Sequence, residues 1–93
     1  MNKFYLYIGS NNITKVLEIE KAIEIISGYF EGFTAYEVVG YWKGHKEKTL
    51  KVEIVAEAGE VMITKLCKDL AEKLDQEAIL LEKINSNMVF IQK

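Results

Sequence analysis

Residues 33–56 read FTAYEVVGYWKGHKEKTLKVEIVA, and this stretch decides the fold class. In its second half, 50–56, apolar residues alternate with mostly charged ones at a period of two, which is typical of a strand with one buried face. The first half, 33–42, is rich in aromatic and β-branched residues and is also typical of a strand. Its alternation breaks at 38–40, which predicts a β-bulge. Residues 43–46 resemble a hairpin loop, so the stretch predicts an antiparallel hairpin.

Two amphipathic helices are predicted on either side of this hairpin. The first has apolar residues at spacings of three and four and ends near Gly28. Its predicted buried stripe is Val16, Ile19, Ile23, Ile26 and Phe30. The second covers residues 61–74 with charged residues on its outer face. Its predicted buried stripe is Ile63, Leu66, Cys67, Leu70 and Leu74.

The remaining segments complete an alternating order of elements. Residues 4–8 and 78–82 predict strands, 85–87 a turn, and 88–91 a short final strand. The order β-α-β-β-α-β predicts an α+β, ferredoxin-like sandwich, with two helices on one face of an antiparallel sheet. We expect residues 1–93 to form a single domain. Because such a sheet leaves edges and one face to cover, a closed ring of subunits is favoured.

Composition excludes several classes of function. The 93 residues are 49% hydrophobic and 28% charged, which favours a packed core over disorder. The net charge of -2 gives no pull toward nucleic acid, and we expect neither nucleic acid nor a membrane as a partner. Cys67 is the only cysteine, so no intrachain disulfide forms. With no signal peptide or membrane span in the pattern, we expect a cytoplasmic protein.

Common catalytic signatures are missing from the sequence. It contains no phosphate-binding loop, no dinucleotide fingerprint and no His/Cys cluster for zinc. His45 is the only histidine, which argues against a Ser-His-Asp triad. Because it lies among lysines in a predicted loop, a solvated surface histidine is favoured over a catalytic one.

Two segments remain as candidates for a site. Residues 40–49 place aromatic residues and a carboxylate on the two arms of one hairpin, and 75–77 is a short polar run. From residue types alone, an ordinary hairpin with a solvated charge run is the favoured interpretation of the first. The second is equally typical of a polar connection.

Several motifs together resemble one enzyme family. Residues 47–52, EKTLKV, resemble the Glu-Lys-Thr-apolar-basic-apolar core of the phage S-adenosylmethionine lyases, formerly called hydrolases. Residues 40–42 stand upstream, where that family has a glycine and aromatic residues. The stretch 75–81 resembles its acidic-Gln-acidic run before an aliphatic strand, and 4–10 resembles its first strand and turn. The motifs span nearly the whole chain in the family's order.

The resemblance implies a fold, a reaction and a set of residues. The fold would be similar to that of the trimeric PII-like signalling proteins, with active sites between the subunits of a homotrimer. The reaction would cleave S-adenosylmethionine to 5′-methylthioadenosine and homoserine lactone, without metal or cofactor. The resemblance implies that Glu47 is the functionally central residue and that an upstream tyrosine assists it. Tyr41 is the expected tyrosine, and Tyr36 is the alternative. The implied substrate-binding residues are Tyr36, Trp42, Gln76 and Glu77.

Elementary chemistry limits what Glu47 does in such a reaction. Lactone formation is intramolecular, because the substrate's own carboxylate attacks its γ-carbon and expels the thioether. A carboxylate pressed against the sulfonium would stabilise the ground state more than the transition state. We therefore expect Glu47 to position the ammonium or the ribose, while aromatic faces attract the cation.

Other functions remain open at the level of sequence. Glu47 acting as a general base on water would make the protein a hydrolase. The rival class is a non-catalytic PII-like trimer that binds or sequesters a small nucleotide-like ligand, since fold does not fix function. A third is an interaction module without a small ligand.

Overall fold

A computed structural model describes residues 2–57 and 59–85, except for the side chains of Trp42 and Asn85. Its elements follow the predicted order. They are β1 (Asn2–Ile8), α1 (Ile19–Ser27), β2 (Thr34–Trp42), β3 (His45–Ala56), α2 (Glu60–Lys73) and β4 (Leu80–Asn85). The strands form one antiparallel sheet in the order β2-β3-β1-β4. This confirms the α+β, ferredoxin-like fold class.

One face of the sheet and both helices enclose the core. Alternate residues of β1 and β3 point toward the helices, as the period of two predicts. Each core side chain is at most 2% exposed, and burying one of the larger ones stabilises the fold by ~1.5–3 kcal/mol. The core is Phe4, Leu6, Ile8, Ala22, Ile26, Leu50, Val52, Ile54, Ile63, Leu66, Leu70 and Leu74.

The predicted stripe of α1 is wrong in two places. The helix begins at Ile19, and Val16, expected inside, is 58% exposed. Ile23 is 36% exposed, and Ala22 takes the buried position with Ile26. The helix starts late because Lys15 has a φ of 64°. A residue in the left-handed region does not continue a right-handed helix.

The predicted bulge in β2 is also wrong. The β2–β3 register runs unbroken from Thr34↔Glu53 to Trp42↔His45. The turn is only Lys43 and Gly44, with φ values of 50° and 78°, which is the pattern of a type I′ hairpin. Gly40 is needed for packing, because a Cβ there would lie 2.6 Å from Thr49 Oγ1. The broken alternation therefore reflects a close contact in a regular strand.

The other boundaries differ less from the predictions. α2 agrees with the predicted helix to within one residue at each end, although Cys67 is only half-buried. β4 begins at Leu80 and continues to Asn85, where it pairs with Asn2. The predicted final strand at 88–91 lies outside the described residues, and the single-domain boundary stays a prediction. None of the described helices has the length and hydropathy needed to cross a bilayer.

The second face of the sheet carries tyrosines and charged side chains. Lys51 Nζ lies 4.3 Å from the ring centroid of Tyr5 and 5.4 Å from that of Tyr7. Partial burial lowers the pKa of Lys51, but the neighbouring hydroxyls of Tyr36 and Tyr7 outweigh it, so the pKa is raised. This face therefore holds a permanent cation among aromatic rings.

Candidate functional site

Two side chains from distant parts of the sequence meet above Gly9, at the end of β1. A Cβ on Gly9 would lie 2.9 Å from Glu47 Oε1 and 3.5 Å from Gln76 Oε1. Glu47 is on β3, and Gln76 follows α2. The absence of a side chain at Gly9 makes room for both oxygen atoms. The structure thus brings together one predicted residue from each of the two candidate segments.

The amide of Gln76 has a fixed orientation. Its Nε2 donates to the carbonyl oxygen of Ser10 at 2.6 Å and, more weakly, to that of Leu74 at 3.5 Å. Because a carbonyl oxygen only accepts, the amide nitrogen must be the atom facing Ser10. Oε1 of Gln76 is then directed toward Gly9 and Glu47. Two hydrogen-bond acceptors converge there, an arrangement that suits a donor such as an ammonium or a hydroxyl group.

Asn11 links the loop after β1 to the connection that follows α2. Its side chain is 5% exposed, and Oδ1 accepts from the backbone N–H groups of Ile13 and Thr14 at 2.7 and 3.0 Å. Its Nδ2 donates to Glu18 Oε1 at 2.6 Å and to Asp75 Oδ2 at 3.4 Å. The loop after β1 is thereby tied to the segment that carries Gln76. The sequence showed Asn11 only as part of a turn.

A cavity of about 560 Å³ opens beside Glu47. This volume is typical of small-molecule sites. Its lining carries both signs of charge, with two carboxylates and three ammonium groups. A zwitterionic or otherwise charged small molecule fits such a lining. The lining residues are Ser10, Lys15, Val16, Leu17, Glu37, Lys46, Glu47 and Lys48.

Tyr41 does not meet Glu47 within one chain. Glu47 pairs with Gly40, and Tyr41 pairs with Lys46. Successive side chains of a strand point to opposite faces, so Tyr41 and Glu47 leave opposite faces of the hairpin. Sequence reasoning placed them together because it could not assign the register.

One of the other predicted residues, Tyr36, lies apart from Glu47. Tyr36 is on the same face of the sheet as Glu47, but it pairs with Lys51, roughly 13 Å further along β3. Its hydroxyl donates to Glu53 Oε1 at 3.4 Å. Glu77 is exposed in the connection after Gln76. Trp42 ends β2, and its side chain lies outside the described part of the chain. Their roles in binding stay predictions.

The remaining titratable groups add little to the site. His45 is exposed at the start of β3. Burial raises the pKa of the Cys67 thiol, which favours its neutral form. Among residues 2–57 and 59–85, no group of three or more His, Cys, Asp or Glu side chains is placed to hold a metal ion.

Comparison with known proteins finds similarity at the level of structure. No protein-family model matches the sequence, and no curated protein sequence matches it. A phage SAM lyase in its apo state aligns with a TM-score of 0.68 and 17% identity, over 89% of this chain and 78% of that one. A DUF3240 family protein from Shewanella baltica aligns with a TM-score of 0.68 and 13% identity, over 99% and 97% of the two chains. CutA1 from Pyrococcus horikoshii aligns with a TM-score of 0.54 and 13% identity, over 97% and 87%.

These similarities establish the fold that the chain shares with its neighbours. At 13–17% identity they do not transfer an activity, because one fold carries many functions. The function therefore depends on the residues around Gly9.

Proposed function

We propose that this protein is an S-adenosylmethionine lyase that releases 5′-methylthioadenosine and homoserine lactone. The observation that carries the proposal is the convergence of Glu47 Oε1 and Gln76 Oε1 above Gly9. Both residues belong to motifs that resemble the family. The similarity of fold to a phage SAM lyase supports the same assignment.

Glu47 and Gln76 position the methionine part of the substrate. Its ammonium group has three N–H donors, and the carboxylate and the amide oxygen accept two of them. The substrate carboxylate is then held so that it attacks the γ-carbon. A C–O bond forms as the C–S bond breaks, and the electron pair goes to the sulfur, which becomes a neutral thioether. No water, proton or external reactant is consumed, and orientation of this kind is worth up to ~7–11 kcal/mol.

The proposed mechanism rests on Glu47 and Gln76, with Trp42 and Glu77 as further candidates for substrate contact. A catalytic hydroxyl from Tyr41 would have to enter the site of a neighbouring subunit, because it leaves the other face of its own hairpin. This agrees with the proposed homotrimer with sites between subunits. We place the enzyme in the cytoplasm, where its substrate is found.

Incubation with S-adenosylmethionine followed by mass spectrometry tests the proposal. We expect methylthioadenosine and homoserine lactone to accumulate in equal amounts. A metal chelator should not change the yield. Intact substrate after prolonged incubation with folded protein would refute the enzyme. Homoserine that forms first, with no lactone at early times, would make the protein a hydrolase.

A second candidate function is a non-catalytic PII-like trimer that binds a nucleotide-like ligand. The observation that favours it is the presence of three lysines, Lys15, Lys46 and Lys48, in the lining of one cavity. Ammonium groups arranged in this way suit a phosphate. Titration calorimetry with ATP and with S-adenosylmethionine distinguishes the two candidates, because the lyase consumes one ligand and the binding protein returns both unchanged.

A further inference from the structure

Thr49, in the first half of β3, is a buried polar side chain. It is 8% exposed, and within the part of the chain that the structure describes its hydroxyl makes no hydrogen bond. Buried hydroxyl groups in folded proteins nearly always have a partner, because an unpaired one destabilises the fold. The hydroxyl of Thr49 is therefore placed for a hydrogen bond to a group from outside the chain.

The hydroxyl of Thr49 lies beside the side chain of Glu47. Both residues are on the same face of β3, because they are two positions apart and the β2–β3 register is unbroken. A Cβ on Gly40 would lie 2.6 Å from Thr49 Oγ1 and 3.8 Å from Glu47 Cγ. The carboxylate of Glu47 continues from there toward Gly9. The two glycines, one on each side of β3, leave space around this pair of side chains for a ligand.

The three oxygen atoms at this place suit a primary ammonium group. Such a group has three N–H donors, and Glu47 Oε1 and Gln76 Oε1 accept two of them. We propose that Thr49 Oγ1 accepts the third N–H, so that the site selects a primary ammonium. The inference deepens the proposed function and rests on it, because the ammonium is that of the amino-acid end of S-adenosylmethionine. The proton of the hydroxyl stays available for the neighbouring carboxylate of Glu47.

A binding measurement with an unreactive ligand tests the contact. S-adenosylhomocysteine has the same amino-acid end, but its sulfur is a neutral thioether and is not expelled. In titration calorimetry we expect Thr49→Val, which keeps the shape and removes the hydroxyl, to raise the Kd about tenfold. Thr49→Ser keeps a hydroxyl and should bind nearly as tightly as the wild type. Thr34→Val makes the same change at an exposed position on the same face and should leave the Kd unchanged.

A second ligand shows which group of the ligand meets Thr49. In this analogue of S-adenosylhomocysteine, a hydrogen atom replaces the amino group. The wild type and Thr49→Val should bind it with equal Kd, because the N–H that Thr49 accepts is missing. A tenfold loss for both ligands would overturn the proposal, since Thr49 would then act on the shape of the site. An unchanged Kd of Thr49→Val for S-adenosylhomocysteine, or a wild type that binds neither ligand, would also overturn it.

Thermal unfolding without ligand separates binding from a structural role. Since the hydroxyl has no partner among the described residues, Thr49→Val should unfold at the temperature of the wild type or above it. Unfolding at a clearly lower temperature would overturn the proposal, because the hydroxyl would then stabilise the fold itself. The lyase stands or falls separately. A protein that shows the expected Kd values but leaves S-adenosylmethionine intact would refute the reaction and support the role of Thr49.

Discussion

Two neighbouring regions at one end of the sheet, the loop around Gly9 and the hairpin arm of residues 39–48, hold their backbone in different ways. Around Gly9, the buried side chain of Asn11 and the amide of Gln76 connect the loop after β1 to the segment after α2. The hairpin arm is paired by its own ladder of hydrogen bonds across a two-residue turn, and the side chain of its Glu47 lies next to Gly9. Links between distant segments thus hold the backbone around the candidate site, whereas the arm beside it is a two-stranded ribbon, which is only marginally stable by itself.

Glu47→Gln should have the largest effect on turnover, and it should act on the candidate site alone. The substitution keeps the size of the side chain and removes its charge. We expect turnover of S-adenosylmethionine to fall by at least about a hundredfold, a loss of roughly 2.7 kcal/mol in transition-state stabilisation. Because Glu47 is exposed, stability should change by less than about 1 kcal/mol.

His45→Ala is the control for Glu47→Gln in the same arm. His45 is exposed and outside the proposed site, so turnover should stay close to that of the wild type. A Glu47→Gln variant that is folded and fully active would disprove the role of Glu47. A variant that is unfolded would make Glu47 structural.

Gly9→Ala tests whether the two acceptor oxygens must share the space above Gly9. The new Cβ would displace Glu47 Oε1, which lies 2.9 Å away, and Gln76 Oε1 at 3.5 Å would be in contact. Because the displaced atom is the end of a flexible side chain, folding should be little affected. We expect turnover to fall roughly tenfold to a hundredfold, since misplacement by about 1 Å costs that much.

Gly59→Ala is the matched control for this substitution. A Cβ at Gly59 meets nothing within 4 Å, although the loss of an N-cap glycine costs a few tenths of a kcal/mol up to about 1 kcal/mol of stability. Its turnover should equal that of the wild type. Equal turnover in both glycine variants would show that the acceptors are not used.

Asn11→Ala should weaken the connection between the loop after β1 and the segment after α2. It leaves the backbone N–H groups of Ile13 and Thr14 and the carboxylates of Glu18 and Asp75 without this partner. We expect the free energy of unfolding to fall by about 2 kcal/mol in a denaturant titration. Asn12→Ala, at an exposed neighbouring position, should change it by less than about 0.5 kcal/mol. Equal effects of the two variants would show that Asn11 does not hold the connections together.

Gly44→Ala should lower stability less than Asn11→Ala does, and it should act on the hairpin arm. Gly44 has a φ of 78°, which costs an alanine about 1 kcal/mol. Hydrogen exchange should become faster in the arm and stay unchanged in the Leu50–Ala56 part of β3, because that part is also paired with β1. Uniform acceleration along β3 would show that the arm and the core unfold together.

Much of the fold was readable from the sequence because it depends on local periodicity. The alternation at 50–56 and the stripe of α2 predicted a strand and a helix that the structure confirms. Glu47 and Gln76 were found through short motifs, and the structure shows them meeting above Gly9. The start of α1 was missed because it depends on the backbone conformation of Lys15, which no periodicity indicates.

Local residue patterns were enough to predict the order of the elements, the buried faces of β3 and α2, and the residues to test. The meeting of Gly9, Glu47 and Gln76 at one point, and the orientation of Tyr41 away from Glu47, became visible only in the folded chain. The physical reason is register. A strand alternates faces with every residue, so a shift of one position exchanges the two faces. That register is set by pairing between distant segments and by a two-residue turn, and the local pattern of residues does not contain it.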